Sequence, residues 1–461
     1  MRMLSKSAFA FVVTAAFCLT CSAVPATPAR AAGETKLTAG VTKKVLGSGV
    51  TVLLRESKAN EIVAVQLALG MGAKFESDDE AGISRLLQQS MLKGTKTRSA
   101  EEIANEIESA GGRINVACTK ETGIIQLTCT ADGLAKALPV FFDVIINPTF
   151  PDEEVNKERD LQIQRIKERK DQLLASTVDL AQEVLYEKHP FHKPNEGYEN
   201  TVETLGRQQV LEAYKRFYVP ENMVIAAVGD FDSGKLGPEI EKMLGALKAA
   251  GKKPSVILPA VSLPDSRSRL QYKESSSAWI VMAYPVPGPS QNGYLPTQVL
   301  NSVLGGSMNS RLFTELRDKK GLGYQVGSLY AGFSRDAFVG AFIGTKPDKF
   351  EVARTGIADE VGKIRSDGIT DDELASTKKY LRGTYIIELE SNGSQASNLA
   401  NNECTGIGYD FADRYLGGIE KVTKDEVLKS ADEYFGFYAL ASILPQTTPI
   451  ESGKTQGTEQ E

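Results

Sequence analysis

Histidine is nearly absent from this chain: among 461 residues only His189 and His192 are histidines. Imidazole is the commonest metal ligand and general base, so this scarcity bounds the chemistry the chain can do unaided. Tryptophan occurs once and cysteine five times, which excludes a small disulfide-stapled scaffold. Positive charge is in deficit. The 53 Lys and Arg against 59 Asp and Glu leave a formal net charge of −6, so no basic field exists to hold phosphate backbones, and the composition argues against nucleic acid as a partner. What is present is ordinary: 41% hydrophobic and 24% charged residues, with 41 Gly and 19 Pro, enough for two or three globular domains.

Residues 1–32 are laid out as a signal peptide. Arg2 and Lys6 form a positive n-region, Ala8 to Leu19 is an apolar run, and Ala29-Arg30-Ala31 is a small-x-small cleavage site. That run is short for a membrane span, and no later stretch reaches about 18 apolar residues. The expectation is therefore export, to a bacterial periplasm, with no stable membrane span after cleavage. Cys18-Leu19-Thr20 before Cys21 matches a lipid-attachment box poorly. Cleavage leaves Cys118, Cys129 and Cys404, an odd number. Cys118 and Cys129 lie on two β-rich runs flanking Lys120-Glu121-Thr122-Gly123. A hairpin there would set Cys118 near Ile125 and Cys129 near Ile114, so buried free thiols are expected.

Residues 251–269 are Pro-rich and lack helical periodicity, which marks a linker. It separates two segments, 45–250 and 270–447, that resemble each other. Each opens with a β-rich run (Ile62–Leu69; Ala278–Tyr284) and has a Ser-Arg-Leu helix (Ser84-Arg85-Leu86; Ser310-Arg311-Leu312). Two strand-like runs and a helix follow. A second helix then starts with an acidic first turn (Asp152-Glu153-Glu154; Asp371-Asp372-Glu373) that complements the helix dipole. Each closes with aromatics (Tyr214, Phe217, Tyr218; Tyr434, Phe435, Phe437, Tyr438) and a last β-rich run. The pattern predicts an α+β fold of two homologous domains in tandem, each a mainly antiparallel sheet with helices packed on it. The polar residues 451–461 are expected to be a disordered tail.

The run Ala81-Gly82-Ile83-Ser84-Arg85-Leu86-Leu87-Gln88-Gln89-Ser90-Met91-Leu92-Lys93-Gly94-Thr95 is an apolar helix followed by a Lys-Gly-Thr exit. By spacing alone Arg85, Gln88 and Gln89 share a face away from Leu86, Leu87 and Met91. Here the chain resembles the pitrilysin/insulinase family of zinc peptidases, the inverted zincins, and the resemblance spans essentially the whole sequence after the signal. That family carries His-x-x-Glu-His on this helix, where two imidazoles bind zinc and the Glu activates the metal-bound water. In this chain the three positions hold Arg85, Gln88 and Gln89. The family's third ligand is a Glu about 76 residues downstream. In the segment Lys157-Glu158-Arg159-Asp160-Leu161-Gln162-Ile163-Gln164-Arg165-Ile166 its position falls on Arg165, with Gln164 one residue away. Arginine does not coordinate zinc, and glutamine is no general base at neutral pH. No catalytic residue and no metal ligand is therefore expected in this chain.

The second half keeps another part of the family pattern. In Leu304-Gly305-Gly306-Ser307-Met308-Asn309-Ser310-Arg311-Leu312-Phe313-Thr314-Glu315-Leu316-Arg317, followed by Tyr324, the resemblance assigns Arg317 and Tyr324 to the family's Arg/Tyr pair. That pair helps bind substrate peptide and stabilise the attacked carbonyl. A guanidinium fork and a phenol both donate hydrogen bonds that strengthen as charge develops on oxygen. Gly305-Gly306 reads as close backbone packing.

In two-chain members one subunit carries zinc and the other the Arg/Tyr pair. The resemblance thus implies a non-catalytic, substrate-binding subunit of an exported heterodimeric metallopeptidase that degrades peptides. Its partner would be a homologous, zinc-bearing subunit. The alternative is a catalytically dead scaffold or assembly protein of the same fold. Three further motifs carry less. Gly229-Asp230-Phe231-Asp232-Ser233-Gly234-Lys235 lacks the hydroxyl of a phosphate loop, because Leu236 follows. His189-Pro190-Phe191-His192 reads as a structural loop, and Asn392-Gly393-Ser394 as a chance sequon.

Overall fold

The computed structural model describes residues 36–446, with 246 and 262 excepted. The predicted signal peptide and the 451–461 tail lie outside the described residues.

The first half has strands β1 (Thr42–Val45), β2 (Thr51–Glu56), β3 (Ile62–Gly70), β4 (Arg113–Cys118), β5 (Thr122–Thr130) and β6 (Met223–Gly229). Its helices are α1 (Ile83–Ser90), α2 (Ala100–Ser109), α3 (Leu134–Ile146), α4 (Asp152–Asp171), α5 (Leu173–Tyr186), α6 (Glu199–Val202), α7 (Arg207–Phe217) and α8 (Ser233–Leu244). The second half has β7 (Arg267–Lys273), β8 (Ala278–Val286), β9 (Val326–Ala331), β10 (Ala337–Thr345) and β11 (Ala439–Pro445). With them come α9 (Tyr294–Leu304), α10 (Phe350–Asp367), α11 (Asp371–Glu388), α12 (Asn392–Cys404), α13 (Phe411–Ile419) and α14 (Lys424–Tyr434). The sheets run β1-β2-β6-β3-β5-β4 and β7-β11-β8-β10-β9. Leaving β1 aside, the two orders correspond strand for strand, so the duplication is real. Each sheet is mixed: β2 with β6 and β7 with β11 are parallel, and the other pairs are antiparallel.

Side-chain size alternates along the central strands and sorts what covers each face. On β3, Val63, Val65, Leu67 and Leu69 pack into the core beneath the half's own helices. Its small Ala64 and Ala68, with Leu53, Val224, Ala226 and Val228, meet Ala396, Leu399 and Ala400 of α12 from the other half. The second sheet repeats this. Ile280, Met282 and Tyr284 face inward, while Val281, Ala283, Ala439 and Ala441 receive Leu180, Ala181, Val184 and Leu185 of α5. The halves therefore exchange a helix, and each sheet is buried on both faces only because the other half covers one. Segments 45–250 and 270–447 are repeats in sequence, but neither completes its own layers.

Several expectations change. Residues Arg267 to Arg269 of the predicted linker already belong to β7, because Arg267 to Lys273 pair in parallel with Ala439 to Pro445. Leu263 in the linker is buried beside α5. The hairpin register sets Cys118 opposite Gly123 and Ile114 opposite Leu127, two residues from the expected pairing, because the turn is shorter. Cys118 and Cys129 are nevertheless free and buried, and Cys404 is free.

The repeat also aligns differently from the Ser-Arg-Leu match. Helix α1 packs on α4, α7 and β4, and α9 packs on α11, α14 and β9, so these two occupy equivalent places. The segment holding Ser310-Arg311-Leu312 runs on into a π-helix, Phe313–Lys319, against α10 and β9, where α2 lies against α3 and β4 in the first half. Among the described residues no helix is long and apolar enough to cross a membrane.

Candidate functional site

Helix α1 starts at Gly82, whose φ of 98° suits glycine. A Cβ there would come within 2.6 Å of Glu196 O. The helix is seated by Glu76, a buried carboxylate whose oxygens accept from Gly82 N and Ser84 N, both at 2.9 Å. Burial pushes the Glu76 carboxyl up, and these N–H bonds at a helix N-terminus oppose it. Helix α4 locks on from outside: Gln162 Nε2 donates to Gly82 O at 3.0 Å and to Glu196 O at 2.8 Å. At the other end of α1, Lys93 pairs with the buried Glu158 at 2.8 Å.

The four positions that the resemblance singled out lie on these two helices. Gln88 is fully buried. Its Nε2 donates to Ile124 O at 2.7 Å and its Oε1 accepts from Tyr218 Oη–H at 2.9 Å. Arg85, Gln89 and Arg165 are half-buried. Arg85 Nε and Arg165 Nη1 are shielded from water without a partner among the described residues. Arg85 forms no ion pair with Asp78, Asp79 or Glu80, the acidic residues just before its helix. Asp78 faces Lys193 at 3.4 Å, and Glu80 faces Arg216 at 3.0 Å. Cys118, at the end of β4, lies close enough for Arg85 to act on its thiol, but burial and Glu76 push that thiol up, out of a nucleophile's range.

This chemistry does not fit zinc. Guanidinium groups offer no lone pair, Gln88 has both amide ends occupied, and among the described residues no three His, Cys, Asp or Glu side chains converge as a metal site. Tyr218, Glu158 and Gln162 are the participants that sequence reasoning missed. Their only signal was helical spacing, with Glu158, Gln162 and Arg165 on one stripe of α4.

Arg317 and Tyr324 are brought together. The π-helix spreads its backbone bonds to Lys320 N–Glu315 O (3.2 Å) and Leu322 N–Leu316 O (2.8 Å), and such widened turns recur at functional sites. Arg317 Cζ lies 4.3 Å from the Phe313 ring centroid and 5.4 Å from that of Tyr324. The guanidinium is thus stacked between two rings, and Tyr324 is 86% exposed. The phenol is free to meet a ligand. Gly305 packs as expected: a Cβ there would meet Ser328 N at 2.3 Å, and Gly305 O accepts from that N–H at 2.9 Å.

The remaining motifs are structural. Asp232 caps α8 through Gly234 N at 2.8 Å, while Asp230 pairs with Lys58. His189 Nδ1 accepts from Phe191 N at 3.2 Å, and burial pushes its imidazole down to about 4. His192 Nδ1 contacts His189 O at 2.9 Å. Asn392 of the sequon is buried, donating to Asn60 Oδ1 and Ile62 O across the two halves.

Comparison with known proteins fits this frame. Residues 51–197 match the insulinase family, peptidase family M16, and residues 204–381 match the M16 inactive domain. The chain is 28% identical over 399 residues to YmxG, an uncharacterized zinc protease of Bacillus subtilis, across 86% of this chain and 97% of that protein. It is 28% identical over 405 residues to an uncharacterized zinc protease of Mycobacterium tuberculosis, across 87% of this chain and 91% of that one. A protease structure from Helicobacter pylori superposes with a TM-score of 0.82 at 21% identity, covering 88% of this chain and 99% of that one. A peptidase M16 inactive domain from Pseudomonas fluorescens gives 0.82 at 19% identity, covering 88% and 98%. At these identities the two structures speak for the fold.

Proposed function

This chain belongs to the M16 (pitrilysin/insulinase) family of peptidases, and from that premise we propose that it is the non-catalytic, peptide-binding subunit of a two-chain zinc peptidase. The observation that carries the reading is a contrast within one chain. Gln88, where the family's general base would stand, is immobilised between Ile124 O and Tyr218, while Arg317 and Tyr324 are stacked together with the phenol exposed. The place of the general base is filled from within the chain, and the Arg/Tyr pair is open.

In this role the chain's own residues bind and orient. Strands β4 and β9 each end a sheet, so each has a row of backbone N–H and C=O groups to which an extended peptide adds as a strand. The Tyr324 hydroxyl and the Arg317 fork donate to carbonyl oxygens of that peptide, and both bonds strengthen as negative charge develops there. Zinc and the activating carboxylate come from a homologous partner subunit. The layout of residues 1–32 adds export, to the periplasm of a bacterium.

The test is peptidase activity and zinc content, for the purified chain alone and after mixing with a homologue from the same genome that has an intact His-x-x-Glu-His. The expectation is no activity alone and activity in the mixture, reduced about tenfold to a hundredfold by Arg317→Ala and by Tyr324→Phe. A mixture that neither associates nor gains activity would transfer the chain to the scaffold reading.

A further inference from the structure

The seam between α1 and α4 holds polar atoms that nothing among the described residues satisfies. Arg85 Nε and Arg165 Nη1 are buried donors, and Gln162 Oε1 a buried acceptor, without partners among the described residues. Arg165 follows Gln162 by one turn and shares with Glu158 and Gln162 the stripe of α4 turned toward α1. Gln162 in turn bonds Gly82, one turn before Arg85. Each arginine therefore lies within one helical turn of the Gly82–Gln162 contact, and both remain partly open to solvent.

None of the nearby carboxylates pairs with either arginine among the described residues, including that of Glu196, whose carbonyl accepts from Gln162. Glu76 is held by backbone N–H groups, Asp78 faces Lys193, and Glu80 faces Arg216. Glu158, which has one unpartnered oxygen of its own, is tied to Lys93, which lies about 12 Å farther along the α1 direction than Arg85. Arg311 shows how this fold closes an arginine that it uses internally. Its Nε and Nη2 donate to both oxygens of Glu373, at 2.7 and 2.9 Å, and Nη2 donates also to Gly368 O. Arg85 and Arg165 have no such carboxylate.

We infer that Arg85 and Arg165 form a site for a carboxylate carried by a peptide, with Gln162 Oε1 accepting an amide N–H of that peptide. Guanidinium forks match carboxylate geometry and give charge-assisted bonds. An acceptor beside them suits a group that carries its own N–H rather than a bare inorganic anion. The choice of a peptide as bearer rests on the peptide-binding role proposed above. The carboxylate has two sources, a chain terminus or an acidic side chain.

The experiment is an anisotropy titration of the purified chain with one short uncharged peptide in three forms: free C-terminus, amidated, and amidated with one internal Glu. A carboxylate-bearing form should bind roughly tenfold or more tightly than the neutral one. The preference should shrink with added salt and vanish in the double variant Arg85→Gln, Arg165→Gln. Whichever carboxylate form binds tighter identifies its source. The variant deletes unsatisfied buried donors, so its melting temperature should be equal or higher, which separates lost binding from misfolding. Equal affinity for all three forms, no binding by any, an unchanged double variant, or inorganic phosphate competing as well as the peptide would each overturn the site. None of those results touches partner-dependent activity, and absence of that activity would leave a measured carboxylate preference standing.

Discussion

Helices α1 and α9 occupy equivalent places in the two halves and treat their buried positions in opposite ways. Counted back from the exit glycines, Gly94 and Gly305, Gln88 and Gln89 correspond to Val299 and Leu300, both fully buried in an apolar core. The second half closes this place with hydrocarbon. The first fills it with a glutamine that needs Ile124 and Tyr218 to satisfy its amide, beside an arginine that is left unsatisfied. A repeat under packing demands alone would drift toward α9. Polar side chains at these positions set α1 apart from α9, whose equivalents Val299 and Leu300 are apolar and buried.

The sharpest way to break the contrast is to move the polar pattern across. Leu300→Gln should cost about 4 kcal/mol, since it removes apolar packing and buries an amide with no partner. A urea melt reads this directly, and a loss below about 1 kcal/mol would mean that the two places are not differently packed. The reciprocal change is milder. Gln88→Leu should destabilise by roughly 2 kcal/mol, because the Tyr218 hydroxyl and the Ile124 carbonyl lose their partner, and Tyr218→Phe by about 1 kcal/mol.

The hairpin turns give a second comparison, because the halves meet turn to turn. Lys120 and Glu121 between β4 and β5 face Phe333 and Ser334 between β9 and β10: Glu121 accepts from Ser334 N at 2.6 Å, and Lys120 lies over the Phe333 ring. In this contact the first turn supplies the charged groups, and the second meets them with Phe333 and Ser334. Burial lowers the Lys120 amine from its ordinary 10.5 to about 7. As pH falls through that window the unfolded chain takes up a proton and the folded chain does not, so stability should decline from about pH 10.5 to 7 and then level off. A pH series of melts on the wild type and on Lys120→Met checks this. An identical slope in both would remove Lys120 as its source.

The two arginines that share a Ser-Arg-Leu context should differ least dramatically and most instructively. Arg311→Ala loses a half-buried bidentate pair with Glu373 and should cost about 1–2 kcal/mol. Arg85→Ala should stay within about 0.5 kcal/mol, since it has no pair to lose. Equal costs at both sites would show that Arg85 serves the fold.

Much of this was legible in the residues. Alternating Val and Leu in Ile62–Leu69, the acidic first turns at Asp152 and Asp371, and the Lys-Gly-Thr exit located a strand, two helix starts and the end of α1. The free thiols and the packing role of Gly305 were legible too. What misled was local identity. Ser-Arg-Leu occurs in both halves, yet one copy lies on α1 and the other leads into the π-helix, because three shared residues do not encode which neighbours a helix finds. Asp78, Asp79 and Glu80 lie close to Arg85 in sequence, but Lys193 and Arg216 reach two of them from distant parts of the chain. Gln162 shared a helical stripe with Arg165, but nothing named its partner Gly82 or joined Tyr218 to Gln88, since hydrogen bonds across 80 and 130 residues leave no trace in local spacing.

By itself the sequence determined that this is a duplicated α+β chain, and its motifs gave the resemblance to the pitrilysin/insulinase family, with Arg85, Gln88 and Gln89 where that family's zinc motif stands. Periodicity and motif identity are read along the chain, and they hold wherever the residues lie. Only the tertiary structure decided that α5 and α12 change places to cover each other's sheets, that Arg317 lies over the rings of Phe313 and Tyr324, and that Arg85 Nε and Arg165 Nη1 are buried without a partner among the described residues. The physical reason is that a partner, or the want of one, belongs to three-dimensional proximity, and a helical face read from sequence is turned toward solvent, protein or ligand only once the chain has packed.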